Sequence, residues 1–489
     1  MSAGSTGAED TPAPAGKSKF FGDTVRAAGG TVVVFMARFF TLAILARTLG
    51  VEQFGIIALA ILSVDLLSLL LLGGLPGVMS RFLPLTDKAS RPKLLALRRR
   101  WAGISLVLMA LVAPVVGWTL LDFGTLPMVL FAIWVCANAA HLITIAEMQG
   151  ALRFDLVFWT YLAGSTLQVT GALLLTLSPS INGGMLVLLI PPIVQLLPWF
   201  IAFRGRFQGP EGSGTLPPLR EIAGYGFNFC LIAALTAIVW SRGELFVVKE
   251  QLGETSLGHY SAAVTLSAMV WRLTGLLQGA VTPHLVHRLE SDEGIGPFVD
   301  QMTRLVMMIS TVGTLAIVFF ATEFVTLIFG VDFAQAAPII TVMTPGIVTA
   351  GLSSAQIGVQ LMSNGRVPRN ALVVGALMLI ALAFMLSGPL GSEGIALARS
   401  LTMLGVSLVM PLWLMANLKG RAPRSVLMEL FLSVGLVTIA ALVMLTMDLD
   451  LWLRILIWSL LAYVWAARGT GELLPQKMAA STVRTLRSI

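Results

Sequence analysis

Runs of about 20 apolar residues recur along almost the whole chain, and charged clusters or Gly/Pro breaks separate them. A hydrocarbon layer of about 30 Å needs roughly 20 apolar residues per crossing helix, so each run predicts a membrane-spanning helix. Fourteen spans are predicted, near residues 25–47, 55–79, 101–121, 125–146, 156–177, 183–203, 223–247, 258–283, 304–328, 337–362, 370–389, 394–417, 426–446 and 451–469. The pattern therefore predicts an all-α, polytopic membrane protein.

The basic residues check this count, because Lys and Arg concentrate in cytoplasmic loops. With both termini in the cytoplasm, 25 of the 32 basic residues fall on the cytoplasmic side. Only Arg47, Lys249 and Arg454 fall on the other side. Four more lie inside predicted spans: Arg38, Arg242, Arg272 and Arg399. One missed span would reverse every later loop, so this distribution favours fourteen spans with cytoplasmic termini.

The composition agrees with a membrane protein and gives no reason to expect a nucleic-acid partner. The chain is 56% hydrophobic and 12% charged, with a mean hydropathy of +0.88. Charged residues make up about a quarter of a soluble protein, so a soluble fold is excluded. The net charge of +7 would suggest nucleic acid in a soluble chain. Here membrane topology accounts for it, and no nucleic-acid partner is expected.

The predicted loops on the non-cytoplasmic side are too short to fold into a catalytic domain, as at residues 50–54 and 122–125. Asp448 and Asp450 form a D-x-D pattern, but a solvated turn explains it. Lys17 is not part of a P-loop, because Thr11 stands where the first glycine is needed. We therefore predict no enzymatic activity, no cofactor and no metal site. Energy for any transport must come from a gradient or the membrane potential.

A short motif occurs twice, 203 residues apart. The chain reads L-G-x-x-x-F-G at residues 49–55 and L-G-x-x-x-L-G at residues 252–258, at the junctions of spans one and two and of spans seven and eight. An even repeat of six helices preserves orientation, so we predict two lobes related by an axis along the membrane normal, with a site between them. The predicted organisation is a disordered tail (1–20), a first lobe (21–205), a linker (206–220), a second lobe (221–418), two further helices (419–470) and a tail (471–489).

Several segments resemble the polysaccharide transporter family. They are residues 45–55, the Gly-Gly-Leu-Pro break at 73–76, the run 329–338, Ser-Asn-Gly-Arg at 363–366 and Gly-Ile-Ala-Leu-Ala-Arg at 394–399. The resemblance covers about residues 20–470 and is to Wzx-type flippases of lipid-linked oligosaccharides. These belong to the superfamily that also contains multidrug and toxic-compound extruders.

The resemblance implies transport of undecaprenyl-pyrophosphate-linked repeat units across the bacterial inner membrane, for O-antigen, capsule or exopolysaccharide, by alternating access. Membrane lipid, a polysaccharide polymerase and chain-length proteins are the further partners it implies. An ion-coupled drug or metabolite antiporter of the same superfamily is the alternative. A membrane-embedded glycosyltransferase is less compatible with the short outer loops.

A charged residue at mid-membrane costs roughly 2.5 to 3.5 kcal/mol and usually faces a partner or water. Arg38 and Arg242 lie near mid-depth, Arg272 lies within the inner half of the membrane, and Arg399 lies nearer the outer end of its span. A guanidinium matches phosphate oxygens bidentately, so we predict that these four arginines bind the pyrophosphate. Two alternatives stay open: Arg38 pairs structurally with Asp65, which lies at a matching depth, and Arg399 snorkels to the outer interface.

Protonatable and aromatic side chains complete the candidate site. Asp65, Glu244 and His141 are candidates for coupling or charge pairing, since burial can shift the affinity of such groups for a proton. Trp240 and Trp271 are the preferred candidates for stacking on sugar rings. Three other tryptophans are considered for the same role: Trp134, Trp159 and Trp199.

Overall fold

A computed structural model of the protein describes residues 15–87, 89–151, 153–202, 216–290, 295–363, 365–417, 422–447 and 449–473. Most of both predicted tails, most of the linker and Asp448 lie outside these ranges. The described residues fold into α-helices: α1 (Ala15–Leu49), α2 (Val51–Leu71), α3 (Leu75–Phe82), α4 (Arg91–Thr119), α5 (Thr125–Gly150), α6 (Phe154–Leu175), α7 (Ile181–Ala202), α8 (Leu219–Thr236), α9 (Leu245–Glu290), α10 (Ile295–Phe319), α11 (Ala321–Phe329), α12 (Ala336–Ile347), α13 (Ser353–Met362), α14 (Arg366–Asn417), α15 (Ala422–Thr446) and α16 (Leu451–Leu473). Short irregular turns join some of them: a π-helix at Ala237–Arg242 and 3₁₀ turns at Val331–Phe333 and Val348–Leu352.

Glycines divide the two longest helices. Gly253 in α9 has φ 81° and Gly391 in α14 has φ 57°, a region that side chains with a Cβ rarely enter. Each long helix therefore contains two straight parts, as the predicted spans require. Every predicted span overlaps a helix, and nine helical segments of the described residues are long and apolar enough to cross a membrane. The all-helical membrane fold is confirmed, whereas fourteen crossings remain a prediction.

The first residues of α4, predicted to lie on the cytoplasmic side, differ from expectation. The helix begins at Arg91, about ten residues before the predicted span, so Arg98 lies within it instead of in a loop. Arg98 is buried and pairs through two nitrogens with Glu147 of α5, its Nη2 donating to Oε2 at 2.8 Å. Glu147, near the end of α5, is 1% exposed. Extension of both helices past the apolar run brings the two charges together, and each offsets part of the other's cost of burial.

The helices pack in two groups. Apart from α2, the helices α1–α7 pack mainly on one another, as α1 does on α6 and α5 on α7, and α10 packs on α15 in the second group. The groups meet where α2 lies against α9 and α3 against α8. This arrangement is compatible with two lobes, whose boundaries remain a prediction.

The two copies of the repeated motif have the same backbone conformation. Gly50 has φ 78° and ψ 177°, and Gly253 has φ 81° and ψ −176°. Each glycine ends one helix and begins the next at a positive φ that only glycine adopts readily. The duplicated motif is therefore a duplicated turn.

Candidate functional site

A cavity of about 420 Å³ lies where α1, α2, the π-helix, α9 and α14 converge. The second group of helices supplies more of its wall than the first. All four intramembrane arginines line it, together with Asp65, Trp240 and Trp271: Arg38 from α1, Arg242 from the π-helix, Arg272 from α9 and Arg399 from α14. The structure thus brings together seven side chains that the sequence nominated separately.

Arg399 is engaged with a buried carboxylate. It is 2% exposed, its Nη1 donates to Oε1 of Glu244, and its Nη2 donates to the carbonyl oxygen of Trp240 at 2.9 Å. The hydroxyl of Tyr260 donates to the same Glu244 oxygen at 3.2 Å. Arg399 therefore does not snorkel to the outer interface, because the carboxylate of Glu244 fixes its guanidinium inside the bundle. That pair is electrically neutral as a unit.

Arg38 and Asp65 form a looser pair across α1 and α2. Their nearest atoms, Nη2 and Oδ2, are 3.5 Å apart, and the side chains are 41% and 44% exposed. The structure therefore contains the alternative considered for Arg38, an ion pair with Asp65. Because both groups face the open cavity, either can exchange its partner for a charged ligand.

The other two arginines have no carboxylate within ion-pair distance among the described residues. Arg242 donates from Nη2 to the hydroxyl of Thr265 at 3.0 Å, and its buried Nη1 has no hydrogen-bond partner there. The guanidinium carbon of Arg272 lies 5.9 Å from the ring centroid of Phe35, a cation–π distance. A buried donor without a partner is costly, so this corner of the cavity favours an anionic ligand.

The π-helix sets the direction of Arg242. In it the amide of Gly243 donates to the carbonyl of Ile238 at 3.1 Å, a bond five residues long. A Cβ on Gly243 would lie 2.6 Å from that carbonyl oxygen, so glycine is required there. The wider turn puts Trp240 and Arg242 on the cavity wall while Glu244 reaches Arg399. Such turns are frequent at functional sites.

The aromatic candidates separate into two groups. Trp240 and Trp271 pack on each other with ring centroids 4.6 Å apart, and both line the cavity. Trp134 is instead buried among apolar side chains, and Trp159 is 63% exposed on the outer surface of the bundle. The side chain of Trp199 lies outside the described residues. Sugar stacking at Trp134 or Trp159 is therefore not possible from this cavity.

His141 lies on α5 and does not line the cavity. The helix α5 packs on other helices of the first group, chiefly on α7 and α4. Sequence reasoning also missed the side chains that hold the arginines: Phe35, Thr265 and Tyr260. Single apolar or hydroxyl residues inside a span carry no signal that distinguishes them from packing residues.

The balance of charge at the cavity is positive. Four guanidiniums oppose the carboxylates of Asp65 and Glu244, which leaves two positive charges. The two unmatched groups are Arg242 and Arg272. The cavity is therefore suited to a ligand that carries two adjacent negative charges and a larger polar part able to lie on aromatic rings.

Comparisons with known proteins agree on the fold. The structure is similar to "Lipid II flippase MurJ, inward closed conformation", with a TM-score of 0.66 and 13% identity over 94% of this chain and 99% of that one. It is similar to an inward-facing multidrug resistance MATE family transporter of the MOP superfamily, with a TM-score of 0.60 and 15% identity over 79% and 97% of the two chains. The outward-facing form of a MATE family transporter gives 0.52 and 16% over 80% and 94%.

A search of curated protein sequences finds no match. The sequence profile described as "Polysaccharide biosynthesis protein" matches residues 44–338, more than half of the chain. That segment includes Asp65, Arg242, Glu244 and Arg272. Because the match covers more than half of the chain, this membrane protein belongs to the polysaccharide biosynthesis protein family, and its fold is similar to those of the solved lipid II flippase and MATE transporter structures.

Proposed function

We propose that the protein is a flippase that moves an undecaprenyl-pyrophosphate-linked oligosaccharide across the bacterial inner membrane for O-antigen, capsule or exopolysaccharide synthesis. Membership of the polysaccharide biosynthesis family supports a glycan precursor as cargo. The fold is that of a protein named as a lipid II flippase, which supports transport of a lipid-linked molecule. The observation that carries the proposal is the pair of unmatched guanidiniums, Arg242 and Arg272.

A pyrophosphate that links a lipid to a sugar has one negative charge on each phosphate. Those two charges match the two positive charges left over in the cavity after pairing. Guanidiniums bind phosphate oxygens bidentately and keep their charge at any physiological pH, so Arg242 and Arg272 hold the anion. Arg38 joins them when Asp65 releases it, and Arg399 stays with Glu244. The sugars lie against Trp240 and Trp271.

Transport proceeds by alternating access between the two groups of helices. The charged head occupies the cavity while the polyprenyl tail stays in the lipid, so the head crosses without exposing its charges to hydrocarbon. Asp65 is the proposed coupling group. It faces the cavity, and protonation of Asp65 would free Arg38 to bind the substrate. This step would connect an ion gradient to substrate binding.

Removal of the two unmatched charges tests the proposal. The Arg242→Gln/Arg272→Gln protein is expected to lose most of its translocation of a labelled undecaprenyl-pyrophosphate oligosaccharide in proteoliposomes. The matched control is Arg99→Gln/Arg100→Gln, which removes two exposed charges of α4 away from the cavity. Equal translocation by both proteins, correctly inserted and equally stable, would contradict the flippase mechanism.

The antiporter alternative gives a different result in the same vesicles. A transporter of cationic drugs should present acids in its cavity, whereas this cavity has an excess of arginine. Gradient-driven uptake of an organic cation, unaffected by the lipid-linked oligosaccharide, would favour the antiporter. Competition by soluble pyrophosphate against the labelled lipid, lost in the double Arg variant, would favour the flippase.

A further inference from the structure

A second cavity of about 460 Å³ lies on the other side of the π-helix from the cationic cavity. Ile238 of the π-helix lines this second cavity, whereas Trp240 and Arg242 of the same helix line the first. The second cavity, here named the seam cleft, is bounded by Leu59 and Leu66 of α2 and by Ile380 and Phe384 of α14. It therefore lies between the two groups of helices and is separate from the substrate site.

We expect the seam cleft to open toward lipid, because the apolar side chains at its edge are exposed. Ile380 and Phe384 are 45% and 49% exposed at its edge. Phe384 precedes the α14 break at Gly391 by seven residues, which is a depth of about 10 Å from that end of the helix. A volume of this size falls in the range of small-molecule sites, which are about 300 to 1,000 Å³. A concave apolar surface at acyl-chain depth is suited to a hydrocarbon chain.

The mouth of the cleft carries charges of both signs. Lys249 donates from Nζ to Oδ2 of Asp122 at 2.8 Å and to the carbonyl oxygen of Leu120 at 2.7 Å. Asp122 is 73% exposed and Glu250, beside Lys249, is also exposed. One ammonium and two carboxylates therefore surround the point where a lipid headgroup would lie, with a net charge of −1.

We propose that the seam cleft binds a phosphatidylethanolamine molecule, with an acyl chain in the cleft and the headgroup at Lys249, Asp122 and Glu250. Its phosphate accepts from Lys249, and its primary ammonium donates to the two carboxylates. Charge-assisted hydrogen bonds of this kind are stronger than neutral ones.

The same charges disfavour other lipids. Phosphatidylglycerol and polyprenyl phosphates have anionic heads without a cation, so the excess carboxylate at the mouth repels them. A choline headgroup has a cation but no N–H to donate. The proposal is independent of the substrate: it concerns a structural lipid that lies between the helix groups and contacts both.

Photo-cross-linking in defined vesicles tests the occupant. The variant Phe384→p-benzoylphenylalanine places the photoreactive group at the edge of the cleft. Leu111→p-benzoylphenylalanine is the matched control: it is 65% exposed on α4 and lies eight residues, or about 12 Å, before the end of that helix. The full-length protein is reconstituted with equal amounts of phosphatidylethanolamine and phosphatidylglycerol plus a small fraction of polyprenyl phosphate, and adducts are identified by mass spectrometry.

Phosphatidylethanolamine is expected to be enriched about fivefold over phosphatidylglycerol at position 384 relative to position 111, the ratio that about 1 kcal/mol of selective hydrogen bonding produces. The added substitution Lys249→Gln, or Asp122→Asn with Glu250→Gln, should reduce the ratio toward that of Leu111. Asp332→Asn removes an exposed acid outside the cleft and should leave the ratio unchanged. Equal ratios at both positions, dominant phosphatidylglycerol or polyprenyl adducts, or no lipid adduct at position 384 would each overturn the proposal.

Discussion

Gly55 and Gly258, the last residues of the two motif copies, lie directly against each other across the two groups of helices. A Cβ on Gly55 would stand 2.7 Å from the backbone nitrogen of Gly258, and a Cβ on Gly258 would stand 2.1 Å from the carbonyl oxygen of Val51. Thr255 also donates to Glu52 at 2.8 Å beside this contact. The same motif thus forms both sides of a backbone contact at the end of the bundle predicted to face outside.

Substitution at this contact should separate the two groups of helices. Gly258→Ala cannot be accommodated without movement, because the neighbour of the added methyl group is backbone. Spin labels on cysteines at Gln53 and Gln251, both exposed, should report a longer distance in the Ala variant, measured after Cys136 and Cys230 are replaced. Gly103→Ala is the control, since a Cβ there meets no atom within 4 Å. Identical distances in the unsubstituted protein and both variants would show that the contact does not hold the two groups of helices together at this end.

Replacing one member of the buried Glu244–Arg399 pair should destabilise the protein more than replacing both members. Glu244→Gln leaves a buried guanidinium without a counter-charge, so we expect a loss of about 3 to 5 kcal/mol in unfolding free energy. Adding Arg399→Gln should recover part of this lost unfolding free energy, because the side chains at positions 244 and 399 are then both uncharged. Denaturant unfolding of the single and double variants measures this. If the two single losses simply add in the double variant, the pair is not coupled.

Asp65→Asn should change ligand binding much more than stability. The Arg38–Asp65 pair is largely exposed to the cavity, and exposed pairs contribute less than about 1 kcal/mol. Without the competing carboxylate, Arg38 is free to bind phosphate, so affinity for an undecaprenyl-pyrophosphate lipid should rise and its release should slow. Binding and dissociation rates of the purified protein measure both effects.

The matched control for that variant is Asp155→Asn. Asp155 pairs with Arg153 at 3.0 Å with a similar exposure, but outside the cavity. It should leave both affinity and release unchanged. A fall in affinity for Asp65→Asn would mean that Asp65 supports substrate binding instead of competing with it.

Trp271→Ala should distinguish the sugar from the lipid pyrophosphate. An aromatic contact contributes about 0.5 to 1.5 kcal/mol, so affinity for the oligosaccharide-bearing lipid should fall by up to about tenfold. Affinity for the same lipid without sugars should change little, since the arginines remain. Trp159→Ala, on the outer surface, is the control for loss of an aromatic ring. Equal weakening for both lipids would indicate that Trp271 holds the cavity in shape and does not contact sugar.

Local physics was enough to predict much of this molecule. The cost of placing polar backbone and charge in hydrocarbon acts on each segment separately, so apolar length alone located the helices and the scarcity of charge singled out Arg38, Arg242, Arg272 and Arg399. Asp65 was matched to Arg38 from depth, because rise per residue is constant along a helix. The repeated glycine motif could be found in the sequence because each copy is complete within seven consecutive residues.

Only the packed structure decided which charges neutralise one another. Arg399 pairs with Glu244, which lies 155 residues away in the sequence. Which charges meet depends on how each helix is rotated about its own axis. The π-helix before Gly243 changes the angle between the side chains of Arg242 and Glu244 around the helix axis, and a projection that assumes a regular α-helix does not predict that angle. The burial of Arg98 with Glu147, the isolation of His141 and the seam cleft have the same origin. The position of each helix in the sequence follows from its own residues, whereas the contacts of its side chains depend on the helices packed beside it.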